Sequence, residues 1–473
     1  MNKTKIVGTI GPNSFDYNIL NSMVLAGVDV FRINMAYASI DFAREAILNV
    51  RKISLEKNLE IGIMLDTRGP ELRIGGLERP IIHLEKGRVI RINYSNIIGN
   101  QDMISVSEKE VIDKCEIGDD IYLNNANVQL VVINKDSDTL VCSIKNDGDI
   151  ISNSTINIPN ANFSINFLSN YDKEIIKFAV EMKVDYIALS HVKAEMDVLD
   201  INDLLITLND NDIQILSKIE NKEAIDEIDK ILNVSDGIII SRGDLGIEIS
   251  LEKIPALQKK LTKLVKEQEK ICVISTEMLT SMKDNEKPTR AEVSDIANAV
   301  LDKVDALMLG EETALGNYPV EAVTMMNNVI EEIEKEINYS DLLFEISKDK
   351  RIDISKAIAY SSVDSANRVK ADAIVCSTLS GATAKDISNY RPCCPVIAVS
   401  PNAKVVRGLA INYGIIPVAV GYAETTDELV SISLKTAEEK LNLKPSSKVV
   451  IVGSFPLKSV NYTNFMKIEE VKW

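Results

Sequence analysis

Histidine is almost missing from this chain of 473 residues, which carries only His83 and His191, in different segments. That scarcity argues against a histidine-based nucleophilic triad and against a multi-histidine zinc site. Cysteine is also sparse. Cys115, Cys142, Cys272, Cys376, Cys393 and Cys394 form no CxxC pair, and the adjacent last two suit neither an intrachain bridge nor a zinc knuckle. Buried or idle thiols in a reducing cytosol are the simpler reading. Basic residues are outnumbered, 53 Lys and Arg against 70 Asp and Glu, for a formal charge of −17. Non-specific nucleic-acid affinity rests on clustered Lys and Arg, so no nucleic-acid partner is expected. No uninterrupted run reaches the ~18 apolar residues of a membrane span. The run within Met1 to Pro12 is only a few residues long and lysine-flanked, so a cytoplasmic protein with no membrane partner is expected. With 13 prolines and 21 glycines the chain is neither fibrous nor disordered. It holds no GxxxxGK[ST] run and no GxGxxG.

What is present is a βα rhythm. Thr4 to Ile10, Val28 to Asn34 and Glu60 to Thr67 read as buried strands separated by helical spacing. From about Pro70 to Pro159 the pattern shifts to short alternating segments between Asn and Asp-rich turns, an all-β insertion. The rhythm then resumes with strands at Tyr186 to Ser190, Ile213 to Glu220, Gly237 to Ser241, Ile271 to Thr276 and Ala306 to Gly310. Eight βα alternations favour a closed (β/α)8 TIM barrel over an open sheet. After Asn338 a charged helical linker leads to a C-terminal open-sheet α/β domain, with a helix expected over Val405 to Tyr413. The expected domains are 1–70 with 158–338 for the barrel, 71–157 for the inserted lid and 339–473 for the last unit.

Barrel enzymes build their sites at the carboxyl ends of the strands. Those ends supply Arg32 and Asn34, Asp66 and Thr67, Lys218 and Glu220, the loop residues Arg242 and Asp244, and Thr276. Glu220 and Asp244 are hard oxygen ligands suited to Mg²⁺ or Mn²⁺. Lys218 and Glu220, two apart on one strand, face the same side. One divalent cation beside that ammonium, with Arg32 and Arg73 nearby, suits a transferring phosphoryl group. The glycines of Ser241 to Gly246 admit close backbone approach to an anion, although the same spacing makes plain turns. His83 reads as a surface residue of the insertion, and the pattern leaves open whether His191 lines the site.

The runs KTKIVGTIGP (Lys3 to Pro12), LDTRGPELR (Leu65 to Arg73), SKIEN (Ser217 to Asn221), SRGDLGIEI (Ser241 to Ile249), TEMLTSM (Thr276 to Met282), PTRAEVSDIANAV (Pro288 to Val300), ETALGNYPVEAV (Glu312 to Val323) and RPCCPVIAVSP (Arg391 to Pro401) resemble the pyruvate kinases along the whole chain. The resemblance implies a barrel with a mobile lid and a regulatory C-terminal domain, usually in a homotetramer, and phosphoryl transfer from phosphoenolpyruvate to ADP or another nucleoside diphosphate in glycolysis. It implies that Glu220 and Asp244 hold the divalent metal, and that Lys218 stabilises the phosphoryl group and the enolate. Gly243, Asp244 and Thr276 would bind the substrate carboxylate, Thr276 being implicated also in protonating the enolpyruvate. Arg32 and Arg73 would contact phosphates. Asn34, Tyr37 and Arg73 would line the nucleotide side, while Asn34, Asp66 and Thr67 would hold K⁺. In the last domain Thr378, Ser380, Gly381 and Thr383 resemble a loop for an effector phosphate, from a sugar phosphate or AMP; an ordinary strand-to-helix turn is the alternative.

Departures from the family pattern cluster. Met35-Ala36-Tyr37-Ala38 stands where Phe-Ser-His-Gly is usual, which removes one K⁺ ligand, whereas Glu71 stands where potassium-dependent members carry Glu. Asn124-Asn125-Ala126 replaces Asp-Asp-Gly, Ser154 replaces a lid lysine, His191 replaces Phe and Glu277 replaces Gln. The phosphoenolpyruvate and Mg²⁺ residues are intact and the nucleotide and K⁺ residues eroded. Two readings follow: an active kinase with altered nucleotide and K⁺ behaviour, or a catalytically impaired paralogue serving as a phosphoenolpyruvate-binding sensor.

Overall fold

The computed structural model describes residues 2–70, 72–106, 108–124, 126–159, 167–347, 352–457 and 462–471. Eight parallel strands close a barrel: β1 (Lys5–Ile10), β2 (Val30–Asn34), β3 (Gly62–Asp66), β4 (Tyr186–Leu189), β5 (Gln214–Ile219), β6 (Gly237–Ser241), β7 (Ile271–Ser275) and β8 (Ala306–Leu309). Each strand is a short apolar, β-branched run buried on both faces, as parallel sheets flanked by helices require. One apolar core lies between strands and helices, with Ile6, Phe31 and Ile63 among its members. A second fills the barrel, from Val7, Val30, Met64, Tyr186, Leu216, Ile239, Val273 and Met308.

Between β3 and β4 the insertion forms a six-stranded sheet and a two-stranded ribbon over its own core, including Ile90, Leu130 and Leu140. It is not wholly β, because Lys109–Lys114 is helical and seats Val111 and Ile112 in that core. The last unit is a five-stranded sheet, four strands parallel and Phe465–Glu470 antiparallel at the edge.

The helix expected over Val405 to Tyr413 is shorter, Ala403–Arg407. The chain beyond it turns into the N-terminal mouth of the barrel, where Ala410 and Ile411 join the interior core. Tyr186, at the start of β4, accepts the Ile411 N–H and donates to the Arg407 carbonyl, each at 3.2 Å. Around this plug Arg407 pairs with Asp185 at 3.0 Å, and Arg391 with Asp305 at 2.8 Å.

No helix among the described residues is long and apolar enough to cross a membrane. Five of the six cysteines are buried and Cys393 is half-buried, all as free thiols.

Candidate active site

Side chains alternate along a strand, so a residue two positions past an apolar interior one also points into the barrel. Along β5 that series is Leu216, Lys218 and Glu220. It is Val30 and Arg32 on β2, Met64 and Asp66 on β3, Val7 and Thr9 on β1, and Tyr186, Ala188 and Ser190 from β4. The interior is thus apolar at the plugged end and polar at the carboxyl end.

There the polar groups interlock. Arg32 donates Nε–H to Asp66 Oδ2 at 2.7 Å and Nη1–H to Thr9 Oγ1 at 3.1 Å. Lys218 Nζ lies 2.8 Å from Glu220 Oε1 and 3.4 Å from Asp66 Oδ2, and donates to Ser190 Oγ at 2.9 Å. Ser190 in turn donates to Asp66 Oδ1 at 2.9 Å, and its N–H reaches Thr67 Oγ1 at 3.2 Å. Burial opposes the charge on Lys218, but Asp66 and Glu220 outweigh it and hold the ammonium above its ordinary range. Burial likewise works against ionised Glu220, yet Lys218 and His191 bring its carboxyl down to about 2. His191 does line the site. Its N–H reaches Glu220 Oε2 at 2.7 Å and its Nδ1 lies 3.3 Å from the same oxygen.

A second group comes from the ends of β6 and β7. The stretch expected as a loop after β6 is a short helix, Arg242–Glu248. Ser241 Oγ donates to Asp244 Oδ2 at 2.6 Å across its first turn, and Gly243 faces Thr276. The Gly243 N–H, expected to meet a substrate carboxylate, donates instead to Thr276 Oγ1 at 2.7 Å, and Thr276 O–H donates to the Ser275 carbonyl at 2.6 Å. Thr276 and Glu277 have φ of 67° and 54°. A β-branched residue in that region is strained and persists only where its surroundings over-determine it. Arg242 does so, donating to the Thr276 and Glu277 carbonyls at 2.8 and 3.1 Å.

Asp244 is the carboxylate with least compensation. Burial and then Glu220 push its carboxyl up, and its only hydrogen-bond donor among the described residues is Ser241. Two hard carboxylates repelling each other at the mouth of a barrel suit one divalent cation that completes its shell with other oxygens. The monovalent set does not fit in the same way. Asp66 accepts from Arg32, Ser190 and Lys218, Asn34 Oδ1 accepts the Ala36 N–H at 3.0 Å, and Ala36 brings no side-chain oxygen.

The nucleotide-side residues are not gathered into this network. Tyr37 stands exposed on the loop after β2. Arg73 lies in the insertion, donating to the Asn153 carbonyl at 2.8 Å, and Ser154 is buried there. Asn124 turns a hairpin of the insertion at φ 51°, donating to the Asp149 carbonyl at 2.9 Å. Glu71 and Asn125 lie outside the described residues. His83 is exposed, 2.7 Å from Asp149, as expected of a surface residue. Thr9 and Ser190 were not among the expected site residues, although the alternation Val7 to Thr9 and Ala188 to Ser190 marks both. In the last domain Gly381, at φ 90°, donates to Thr378 Oγ1 at 2.9 Å, and Thr383 meets Thr463 at 2.6 Å. A small open cleft lies beside them, lined also by Ser380, Tyr422 and Tyr462.

Comparison with known proteins agrees with this architecture. Residues 1–323 match the family model described as pyruvate kinase, barrel domain, and 356–469 that of pyruvate kinase, alpha/beta domain. The pyruvate kinase of Sporosarcina psychrophila is 37% identical over 473 residues, covering 100% of this chain and 81% of the relative. That of Bacillus licheniformis is 38% identical over 470 residues, covering 99% and 80%. That of Clostridium acetobutylicum is 36% identical over the full length of both chains. The chain belongs to the pyruvate kinase family.

Proposed function

We propose that this protein transfers the phosphoryl group of phosphoenolpyruvate to ADP, giving ATP and pyruvate, and that Arg32, Lys218, Glu220, Gly243, Asp244 and Thr276 carry the reaction. The observation that bears most weight is the buried Lys218 ammonium, seated 2.8 Å from Glu220 and 3.4 Å from Asp66 at the carboxyl end of the barrel. Because its counter-charges are already in place, it presents fixed positive charge without reorganising, the condition for stabilising charge that develops in a transition state. Arg32, braced by Asp66 and Thr9, aims a second cation at the same space. In the step, the bond from phosphorus to the enol oxygen breaks and one to a terminal oxygen of the diphosphate forms. The enolate carbon then takes a proton, and Thr276 Oγ1 is the group we assign to hold it. Substrate binding draws the Gly243 N–H from Thr276 to the substrate carboxylate, beside the Asp244 N–H. Glu220 and Asp244 would hold Mg²⁺ or Mn²⁺. When bound, the cation supplies positive charge opposite the phosphoryl and enolate oxygens. Members of the family generally also use K⁺, but no step here runs through it, since Asn34 Oδ1 and Asp66 already accept hydrogen bonds and Ala36 adds no side-chain oxygen. Asn34, Tyr37 and Arg73 remain our assignment for the diphosphate, with Arg73 brought in by movement of the lid.

A coupled assay of pyruvate release, with ADP or GDP and with K⁺ or Na⁺, is expected to show turnover at similar rates in both salts. Absence of turnover with every diphosphate at millimolar concentration would leave the sensor reading instead.

We assign Thr378, Ser380, Gly381 and Thr383 to an effector phosphate, on the hydroxyls and the start of the helix Ala382–Asn389 that face the cleft. Adding AMP or a sugar phosphate should raise the melting temperature, because a ligand bound only to the folded state stabilises it. No shift with any of them would favour a plain turn. We divide the chain into 1–70 with 158–338, 71–157 and 339–473, a division that the largely distinct apolar cores support, with Ile158 packed in the insertion's core and Ala410 and Ile411 in the barrel's. A cytoplasmic homotetramer is the form in which we expect the enzyme.

A further inference from the structure

His191 touches two things that must agree if the site is to work. On one side its N–H and its ring Nδ1 converge on a single oxygen of Glu220, at 2.7 and 3.3 Å, while Lys218 holds the other oxygen at 2.8 Å. On the other side the ring faces Gly69, in the stretch just after β3 by which the chain leads to the inserted domain. A Cβ at position 69 would come within 3.2 Å of His191 Cδ2 and 2.7 Å of the Ser190 carbonyl, and Gly69 has a φ of 69°, so the passage admits only glycine. Asp172 fixes that passage from below, accepting the N–H groups of Arg68 and Gly69 at 3.1 and 3.3 Å. His191 itself has a φ of 58°, a region where histidine and asparagine are enriched among non-glycine residues.

We propose that His191 is a positioning residue: its imidazole, seated on the Gly69 entrance to the lid, holds the Glu220 carboxylate in the orientation that receives the divalent cation. The inference rests on the reading of Glu220 as a metal carboxylate. Groups that orient a ligand from outside the coordination shell commonly change metal affinity 10–100-fold when removed. The backbone N–H holds Oε2 and Lys218 holds Oε1, and the ring Nδ1, 3.3 Å from Oε2, adds a third contact on the side of the lid.

The test is Mn²⁺ binding to the substrate-free enzyme, followed by electron paramagnetic resonance of the unbound ion, for wild type, His191→Gly, His191→Asn and Glu220→Gln. Glycine accepts the backbone conformation and keeps the N–H, so it removes the ring alone. It is expected to weaken Mn²⁺ binding about tenfold, with the melting temperature of the metal-free protein unchanged. Asparagine carries a donor near the place of Nδ1 and should recover most of that loss. Wild-type affinity in His191→Gly, or equal weakness in the glycine and asparagine variants, would overturn the proposal. Unchanged affinity in Glu220→Gln would instead overturn the reading of Glu220 on which it stands.

Discussion

Lys218→Met is expected to lower kcat by roughly 10²–10³-fold, the range for deleting a preorganised charge aimed at a developing anion. Methionine keeps nearly the volume of the side chain, one heavy atom shorter, and removes the ammonium with its charge and hydrogen bonds. The fold should survive, since Asp66 retains Arg32 and Ser190 while Glu220 retains the His191 N–H. Steady-state kinetics beside a thermal melt distinguish the two effects. A variant that melts like the wild type but turns over within tenfold of it would remove Lys218 from the reaction. A variant that no longer folds would show that the ammonium is chiefly a counter-ion for two buried carboxylates, and Lys218→Arg would then report whether charge alone restores activity.

The second large effect is on stability. Arg391 and Asp305 form an ion pair with both side chains about 2% exposed. Lys266 binds Asp305 as well, the Arg391 Nη2–H reaches the Lys303 carbonyl at 2.6 Å, and the guanidinium lies 4.3 Å from the Tyr413 ring centroid. Breaking a buried pair from one side costs about 3–5 kcal/mol, because the remaining charge stays desolvated. Arg391→Ala should sit near the lower end, as Lys266 still partly neutralises Asp305. A fall in melting temperature of roughly 5–15 °C is expected. Since Arg391 joins the last domain to the barrel floor, the loss should appear as early separation of the two units, visible as a split or broadened transition. Melting within two degrees of wild type would mean that the pair contributes little beyond what hydrophobic contact already provides.

How far the sequence reveals this molecule depends on the range of the interaction. The barrel strands are legible because most are self-contained apolar runs, as Ile238 to Ile240 and Ile271 to Ile274 show. The helix Arg242–Glu248 was not, because two glycines in seven residues oppose helix formation by about 1 kcal/mol each. Packing against Thr276 and the Ser241–Asp244 contact decide its state. Ala410 and Ile411 read as the continuation of a helix, since nothing local discloses that their partners are Tyr186 and the interior of another unit. At the site, the residues of evident chemistry, Arg32, Asp66, Lys218, Glu220 and Asp244, converge as strand-end placement implies. Ser190 and Thr9 carry ordinary hydroxyls that gain meaning only from what faces them. The engagement of Gly243 with Thr276, and of Asn34 with Ala36, depends on backbone paths that no spacing rule contains.

The plug at the barrel floor also bears on time. Ile411 reaches Tyr186 across 225 residues of chain. At roughly 5–20 residues per second, synthesis of the intervening chain takes on the order of 10–45 s. For the last part of that interval, about 5–20 s from Leu309 to Ile411, all eight strands are made while the amino-terminal mouth still lacks its stopper. The nascent barrel therefore waits, wet and incomplete at one end, for a segment that belongs to the last domain. A chain halted before position 410 would keep every residue of the reaction centre and still expose the apolar throat beneath it, which makes the final third of this protein a folding partner of the first two.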